Sequence, residues 1–492
     1  MLLEAAFDVS GNVALVSDKQ PSYRAFDVRL GRALPLTLRD QTGVNWAEFD
    51  HTGRRIVTGT GNGEFTIWEA AGGNRLLAGR LAKPAAINRI RFSPDGSKLV
   101  AVCAGGLVQC LDARTGEPLG AVVVHSNAVV DARFDTQSRR LVSASADGTA
   151  AVWEAESGRE LVPRLQHPHN GLGSRVGGAY FSHDGQSVIT ASWNAEVRLW
   201  DAVTGQVQAI LTNSSGAPFY FTDLSSDGQR LAVTQVDGQA QILALRTRTW
   251  LAQPLWHERV PTRGVWLSPD GNRLLSAGDE DLLLWDAASG RRIAKLRASA
   301  GLVSSASFDP PGGRIATGGK DGVLRVWDVA TGYLIAQPLP HAAAIAKVEF
   351  SPDGQSLLVA CVDGLVRIYE FPAPSGDPPA WLFDLAGLAT GRVISPNGQE
   401  RLFEVSAGEA LRAKVAAAPA ENGWGRWAQW FLADRSTRSI GPGSALTMPD
   451  YVNRCLAEGT VTSLREAVML APTNRIARAR LAEAITASEK AP

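Results

Sequence analysis

The residues that could do chemistry in this chain are few and scattered. Of seven histidines, His125, His167, His257 and His341 recur at equivalent places, and His167 with His169 forms the only close pair. A His-Pro-His step could ligate a transition metal, but a third donor is needed and none lies near it in sequence. Gly59-Thr-Gly-Asn-Gly63 has the glycine density of a phosphate cradle. It lacks the following lysine and the helix N-terminus that phosphate binding requires, so it reads as a turn. The aspartates fall mostly in Asp-Gly steps, where the carboxylate bonds its own backbone. No HExxH, GxSxG or Walker-type sequence occurs. Cys103, Cys110, Cys361 and Cys455 form no CxxC pair and read as small buried hydrophobes. The sequence therefore assigns no catalytic residue, no cofactor contact and no metal ligand.

The elements that would position any site are better marked. The chain has 492 residues, with 49 Lys+Arg against 49 Asp+Glu and a pI near 7.1. A balanced charge argues against a general nucleic-acid binder or a membrane-surface protein, both of which carry a basic excess. Hydrophobic content of 45% with 20% charge is that of a globular protein. No apolar run approaches the ~18 residues of a membrane span, and the start has no basic-then-apolar leader. A cytoplasmic location is the expectation. The informative numbers are 49 glycines and 14 tryptophans. Together they point to many tight turns and a recurrent aromatic position.

Both are explained by a repeat. An aromatic or aliphatic anchor precedes a turn of the Ser-Pro-Asp-Gly type at Phe7, Phe49, Phe92, Phe134, Phe181, Leu224, Leu267, Phe308, Phe350 and Ile394, spaced 41 to 47 residues apart. Such constancy marks a modular array. Within a unit the hydrophobic period is two, which means strands. In the fourth unit four short strands are expected over 129–134, 140–145, 150–153 and 160–165, joined by three tight turns. Glycine supplies positive φ in those turns, and proline presets φ. Trp68, Trp153, Trp200, Trp285 and Trp327 share one slot on the third strand, with Tyr369 and Leu411 as substitutes. A flat side chain there would pack between neighbouring sheets.

These residues resemble the WD-repeat family of β-propellers, in which a unit carries the same turn, a Ser-x-Asp-Gly step and a Trp-Asp ending. The resemblance implies a hydrogen-bonded ladder of His125, Ser145, Asp147 and Trp153 within one blade. A similar set would be His341, Cys361, Asp363 and Tyr369. It also implies an all-β array of ten units of about 42 residues over 1–440. Units one to three would occupy about 1–124, and a seven-bladed ring about 125–440. The chain would then be a fragment of a longer parent with two seven-bladed rings, because no outer strand for ring closure is evident at its start.

After about residue 420 the turn grammar stops. Trp424, Trp427, Trp430 and Phe431 recur at helical spacing. Helices are expected at 450–457, 462–470 and 475–487, with Asn474 capping the last. The tail, 441–492, resembles one tetratricopeptide-type hairpin, which must pack on the propeller or on a partner. The array is most similar to bacterial multi-WD-repeat proteins fused to serine/threonine kinases. The expected function is a non-catalytic scaffold whose loop faces bind proteins or peptides, as the sensing or docking part of a bacterial signalling protein. The competing class is a propeller enzyme, a lactonase-like hydrolase or quinone-dependent dehydrogenase, with a metal or cofactor on the axis.

Overall fold

The fold was analysed in a computed structural model. It describes residues 4–7, 13–17, 23–27, 36–39, 44–81, 83, 85–168, 174–212, 216–256, 264–278, 282–296, 303–335, 338–370, 381, 384–385, 392–394, 400–402, 405–418, 423–434, 437–441, 444, 446–471 and 474–489. The chain divides into two compact units, 37–371 and the two flanking segments together.

Each blade of the larger unit repeats one burial gradient. In blade 2 the second strand, Lys98–Cys103, is apolar and almost wholly buried. The first strand, Ile87–Phe92, alternates, and the fourth, Pro118–Val124, is mostly exposed. A strand inside a sheet sandwiched between two neighbours must be apolar on both faces, whereas an outer edge need not be. The turn after the anchor is built by its own side chains. Ser93 Oγ donates to Asp95 Oδ1 at 2.6 Å and accepts from the Lys98 amide at 2.9 Å, and Gly96 takes φ +69°.

Among the described residues eight blades form, not ten. Seven are consecutive four-stranded sheets from Val44–Phe49 to Leu339–Pro340. The eighth takes three strands, Ile345–Phe350, Ser356–Cys361 and Leu365–Glu370, and its fourth is Leu36–Arg39. That internal strand is the closing strand missed in the sequence. The first strands of blades 8 and 1 then meet, and the Phe49 amide donates to Glu349 Oε2 at 3.4 Å across 300 residues. The sheets thus run around a ring over 37–371 instead of seven blades over 125–440, and the count of ten that implied a two-ring parent falls with them.

The two outermost anchors lie outside the ring. Phe7 belongs to a three-stranded sheet (Glu4–Phe7, Val13–Ser17, Tyr23–Asp27), and Ile394 to a hairpin with Glu400–Leu402. An anchor turn reports only that two strands form a hairpin. A blade also needs a third and fourth strand and a neighbour on either side.

A second periodicity, of two blades, is superimposed on the first. In blades 1, 3, 5 and 7 an arginine at the start of the second strand reaches the turn of the next blade. Arg55, Arg140, Arg230 and Arg314 donate to the carbonyls of Gly96, Gly185, Gly271 and Gly354 at 2.6, 2.7, 2.5 and 2.7 Å. In blades 1, 3 and 7 the arginine is also held by an aspartate after the anchor: Asp50, Asp135 or Asp309, at 2.7–2.9 Å. The same guanidinium groups lie over the next blade's anchor ring, Phe92, Phe181 or Phe350. Blade 6 differs: its Arg273 turns back to Asp286 of its own blade at 2.7 Å. There a groove of about 690 Å³ opens towards blade 7.

In the second unit helices begin at residue 405, inside the span expected to belong to the array, and the helical spacing of Trp424, Trp427, Trp430 and Phe431 falls on one of them. Helix α1 (Val405–Ala416) and α2 (Gly423–Leu432) share a core of Leu411, Val415 and Ala428. Leu411 is therefore a helix core residue and not a blade substitute. Helices α3 (Met448–Glu458), α4 (Val461–Leu470) and α5 (Arg475–Glu489) pack in sequence, capped by Thr447, Thr460 and Asn474. Among the described residues no helix is long and apolar enough to cross a membrane.

Candidate binding site on the ring axis

The Trp slot builds a polar contact inside five blades. Each indole Nε1–H donates to a hydroxyl on the second strand: Trp68 to Thr58, Trp153 to Ser143, Trp200 to Thr190, Trp285 to Ser276 and Trp327 to Thr317, at 2.8–3.0 Å. In blade 3 the chain extends. Ser143 Oγ lies 2.7 Å from His125 Nε2, and His125 Nδ1 lies 3.1 Å from Asp147 Oδ2. Ser143 Oγ accepts from the indole and shares a second hydrogen bond with Nε2, while Nδ1 faces the Asp147 carboxylate, the Thr149 hydroxyl and, at 2.9 Å, Nη1 of Arg164. The serine of this chain is Ser143, not Ser145. Ser145 instead donates to the Asn127 and Ala128 carbonyls and accepts from the Asp147 amide, so it holds the turn.

Burial, then the charge of Arg164, lowers the His125 pKa and keeps the ring neutral. Burial opposes ionisation of Asp147, but Thr149 and His125 outweigh it and hold the carboxyl at about 2. His167 makes a shorter chain to Thr190 at 2.7 Å, and burial drives its pKa down to about 3. His341 Nε2 lies 3.0 Å from the Tyr369 hydroxyl, while Asp363 accepts from the Leu365 amide. Cys361 is buried beside Arg367. His169 and His257 lie outside the described residues. His125, Ser143, His167, Thr190 and Cys361 are buried and brace their blades, whereas Asp363 is exposed and holds its own turn. Ser143→Ala is expected to lower stability by about 1–3 kcal/mol, because a buried indole N–H and an imidazole nitrogen both lose their partner. Ser145→Ala should cost about 1 kcal/mol. Equal shifts of the urea midpoint would reject the chain through Ser143.

The axis holds what sequence inspection missed. The first strands stand side by side around the ring, and their side chains interact at separations of 40 to 47 residues. The residue before each anchor forms one layer: Glu48, Arg91, Arg133, Tyr180, Asp223, Trp266, Ser307 and Glu349. Two residues earlier lie Trp46, Arg89, Asp131 and Lys347. Glu48 pairs with Arg91 at 3.1 Å, and Asp131 takes Arg133, Arg89 and Arg91 at 2.9, 3.2 and 3.4 Å. Arg133 lies over Tyr180, whose hydroxyl donates to the Thr222 carbonyl. Asp223 accepts from the Leu267 amide at 2.8 Å, and Lys347 lies over Trp46. The belt is continuous except at Trp266, which packs apolar into the next blade.

Its acids are not equivalent. Burial opposes ionisation of Asp131, yet Arg91, Arg133 and Arg89 hold its carboxyl well below the usual range. At Asp223 burial wins and the pKa rises. At Glu349 burial, reinforced by Glu48 against Lys347 and Arg91, pushes it up to about 8. The charges pair with one another around the wall. Among the described residues no group of three or more His, Cys, Asp or Glu is arranged to hold a metal ion. Burial raises the Cys103 and Cys110 thiols to about 12 and leaves them unreactive near neutral pH. The signal for the belt was present in the sequence: two fixed columns ahead of each anchor are rich in charged and aromatic residues, legible once the units are stacked.

The family model for the WD domain, G-beta repeat, matches residues 116–154, 164–201, 290–328 and 334–370. Each match begins near a fourth strand and ends with the third strand of the following blade. That stagger interlocks neighbours and leaves the last match without an outer strand, the place filled by Leu36–Arg39. The SIR4-interacting protein SIF2 of Saccharomyces cerevisiae is 23% identical over 279 residues, 45% of this chain and 50% of that protein. The serine-threonine kinase receptor-associated protein of Gallus gallus is 25% identical over 271 residues, 47% of this chain and 75% of its own. The WD repeat-containing protein RUP1 of Arabidopsis thaliana is 30% identical over 203 residues, 39% of this chain and 51% of its own. The chain thus spans about half the length of two of these relatives. The computationally designed Ika8 protein superposes with a TM-score of 0.59 at 20% identity, over 69% of this chain and all of that one. The chain carries WD40 repeats, and its ring is an eight-bladed WD-type β-propeller.

Proposed function

We propose that this protein is a non-catalytic platform that binds other proteins or peptides through the loop faces of its ring. The observation that carries this reading is the axial belt, whose charges are spent on one another and on backbone amides and do not converge on a reacting position. The names of two relatives, one SIR4-interacting and one receptor-associated, describe association with another protein and lend support. A propeller enzyme would need convergent ligands on the same wall, and the pairing of the belt gives that alternative no support. The finer reading is the docking or sensing part of a cytoplasmic bacterial signalling protein linked to a serine/threonine kinase. Its support is the resemblance of the array and of the helical end, where α4 and α5 would act as a tetratricopeptide-like hairpin for a partner. Quantitative affinity capture with the full chain, with and without residues 441–492, tests this. A stoichiometric protein partner with no turnover of added substrates is expected. No partner, together with a tightly held axial metal ion, would transfer the protein to the enzyme class.

A further inference from the structure

One place on the face formed by the second-to-third-strand turns carries donors that nothing in the ring satisfies. Arg175 and Trp193 belong to blade 4, where the Trp193 amide donates to the Arg175 carbonyl at 2.9 Å. The guanidinium lies over the indole at 5.4 Å. Arg175 Nε and Trp193 Nε1 are both shielded from solvent, and neither has a hydrogen-bond partner. The five tryptophans of the blade slot each find a hydroxyl acceptor, so Trp193 departs from them. An unpaired buried N–H is costly, and an arriving acceptor would relieve that cost.

Beside this pair the surface is apolar. Tyr220 and Phe221, at the start of blade 5, are 39% and 37% exposed and pack edge to face at 4.5 Å. Tyr220 also lies 5.8 Å from Trp193. The carboxylates on the adjoining turns are already engaged: Glu196 by Arg198 and Asn194, and Asp237 by Gln239. Among the described residues no carboxylate is paired with Arg175 at this spot. Three aromatic rings with a guanidinium whose Nε has no acceptor form a shape that rewards a carboxylate next to an apolar group.

We infer that this surface, Arg175, Trp193, Tyr220 and Phe221, is the docking site for an extended peptide segment carrying Asp or Glu beside an apolar residue. The carboxylate accepts from the guanidinium and, once the indole turns outward, from its N–H, and the neighbouring apolar side chain covers Tyr220 and Phe221. This rests on the scaffold reading above and specifies its ligand.

The test is to pan a random twelve-residue display library against the full chain, then measure the recovered peptides by titration calorimetry. Sequences enriched in Asp or Glu flanked by apolar residues are expected. Their affinity should fall at least tenfold in Arg175→Ala and several-fold in Trp193→Phe, which keeps an aromatic ring but loses the N–H together with the pyrrole ring that carries it. Arg175→Lys should rescue poorly, since a single ammonium cannot serve the same fork. Binders without acidic enrichment, or acidic binders indifferent to both substitutions, would overturn this site while leaving the scaffold reading intact. Recovery of no binder at all would count against both.

Discussion

Arg314→Ala is expected to cost about 3–5 kcal/mol of stability, the largest loss for any single surface-to-turn contact in the ring. The side chain is 8% exposed and its partner Asp309 only 2%. Its Nε donates to Asp309 at 2.7 Å, and its Nη2 to the Gly354 carbonyl of the next blade at 2.7 Å. Deleting one member of a buried pair strands the other charge away from water, and that penalty dominates. Arg230→Ala provides the contrast. Arg230 reaches Gly271 in the same way, but blade 5 has Ser225 where Asp309 stands in blade 7, so no acid is stranded. About 1 kcal/mol is expected there. Urea midpoints followed by far-UV circular dichroism compare the two directly. Equal losses would mean that the aspartate contributes nothing beyond the arginine–carbonyl bond. Arg314→Lys should recover little, because a lysine cannot bridge acid and carbonyl at once.

Raising the pH from about 5 to 9 is expected to destabilise the ring through Glu349. Its pKa rises from an ordinary 4.5 to about 8, because burial on the axis, with Glu48 beside it, outweighs Lys347, Arg91 and the Phe49 amide. Between those values the folded state binds the proton more tightly than the unfolded chain, so stability falls as pH rises. The contribution is complete below about 4.5 and lost by about 8. At ~1.4 kcal/mol per pKa unit the swing is on the order of 3–5 kcal/mol. Glu349→Gln keeps the amide acceptor and cannot ionise. The variant should therefore match the parent near pH 5 and exceed it near pH 9. A wild-type-minus-variant difference that stays flat over that window would show that Glu349 ionises normally. Asp223, raised by the same burial, gives a change of the same sign.

How far the sequence reached can be judged at single residues. Trp153 and Asp147 are legible because their environment is local: a fixed strand spacing and an Asp-Gly turn decide where they go. Ser143 is less so. Ser143 and Ser145 stand two apart on one strand, and both point to the same side by alternation. Only the depth of the indole, set by the pairing of Leu141 with Trp153, selects the first. The belt was missed for a different reason. Glu48, Arg91 and Asp131 look like ordinary solvated charges in three separate units, and they become partners only when the ring brings first strands together.

The sequence by itself determined the unit: its four strands, its turns, the tryptophan slot and the neutral overall charge. Each depends on residues a few positions apart, so spacing alone specifies them. Tertiary structure decided the number of blades, the closing strand and the chemistry of the axis. Those depend on which sheet edges remain unpaired when the ring is nearly complete. A free edge on blade 8 is satisfied by Leu36–Arg39, more than 300 residues distant in sequence, because an exposed ladder of N–H and C=O groups must be paired or covered. No periodicity records that choice, since it belongs to the ring and not to any one repeat.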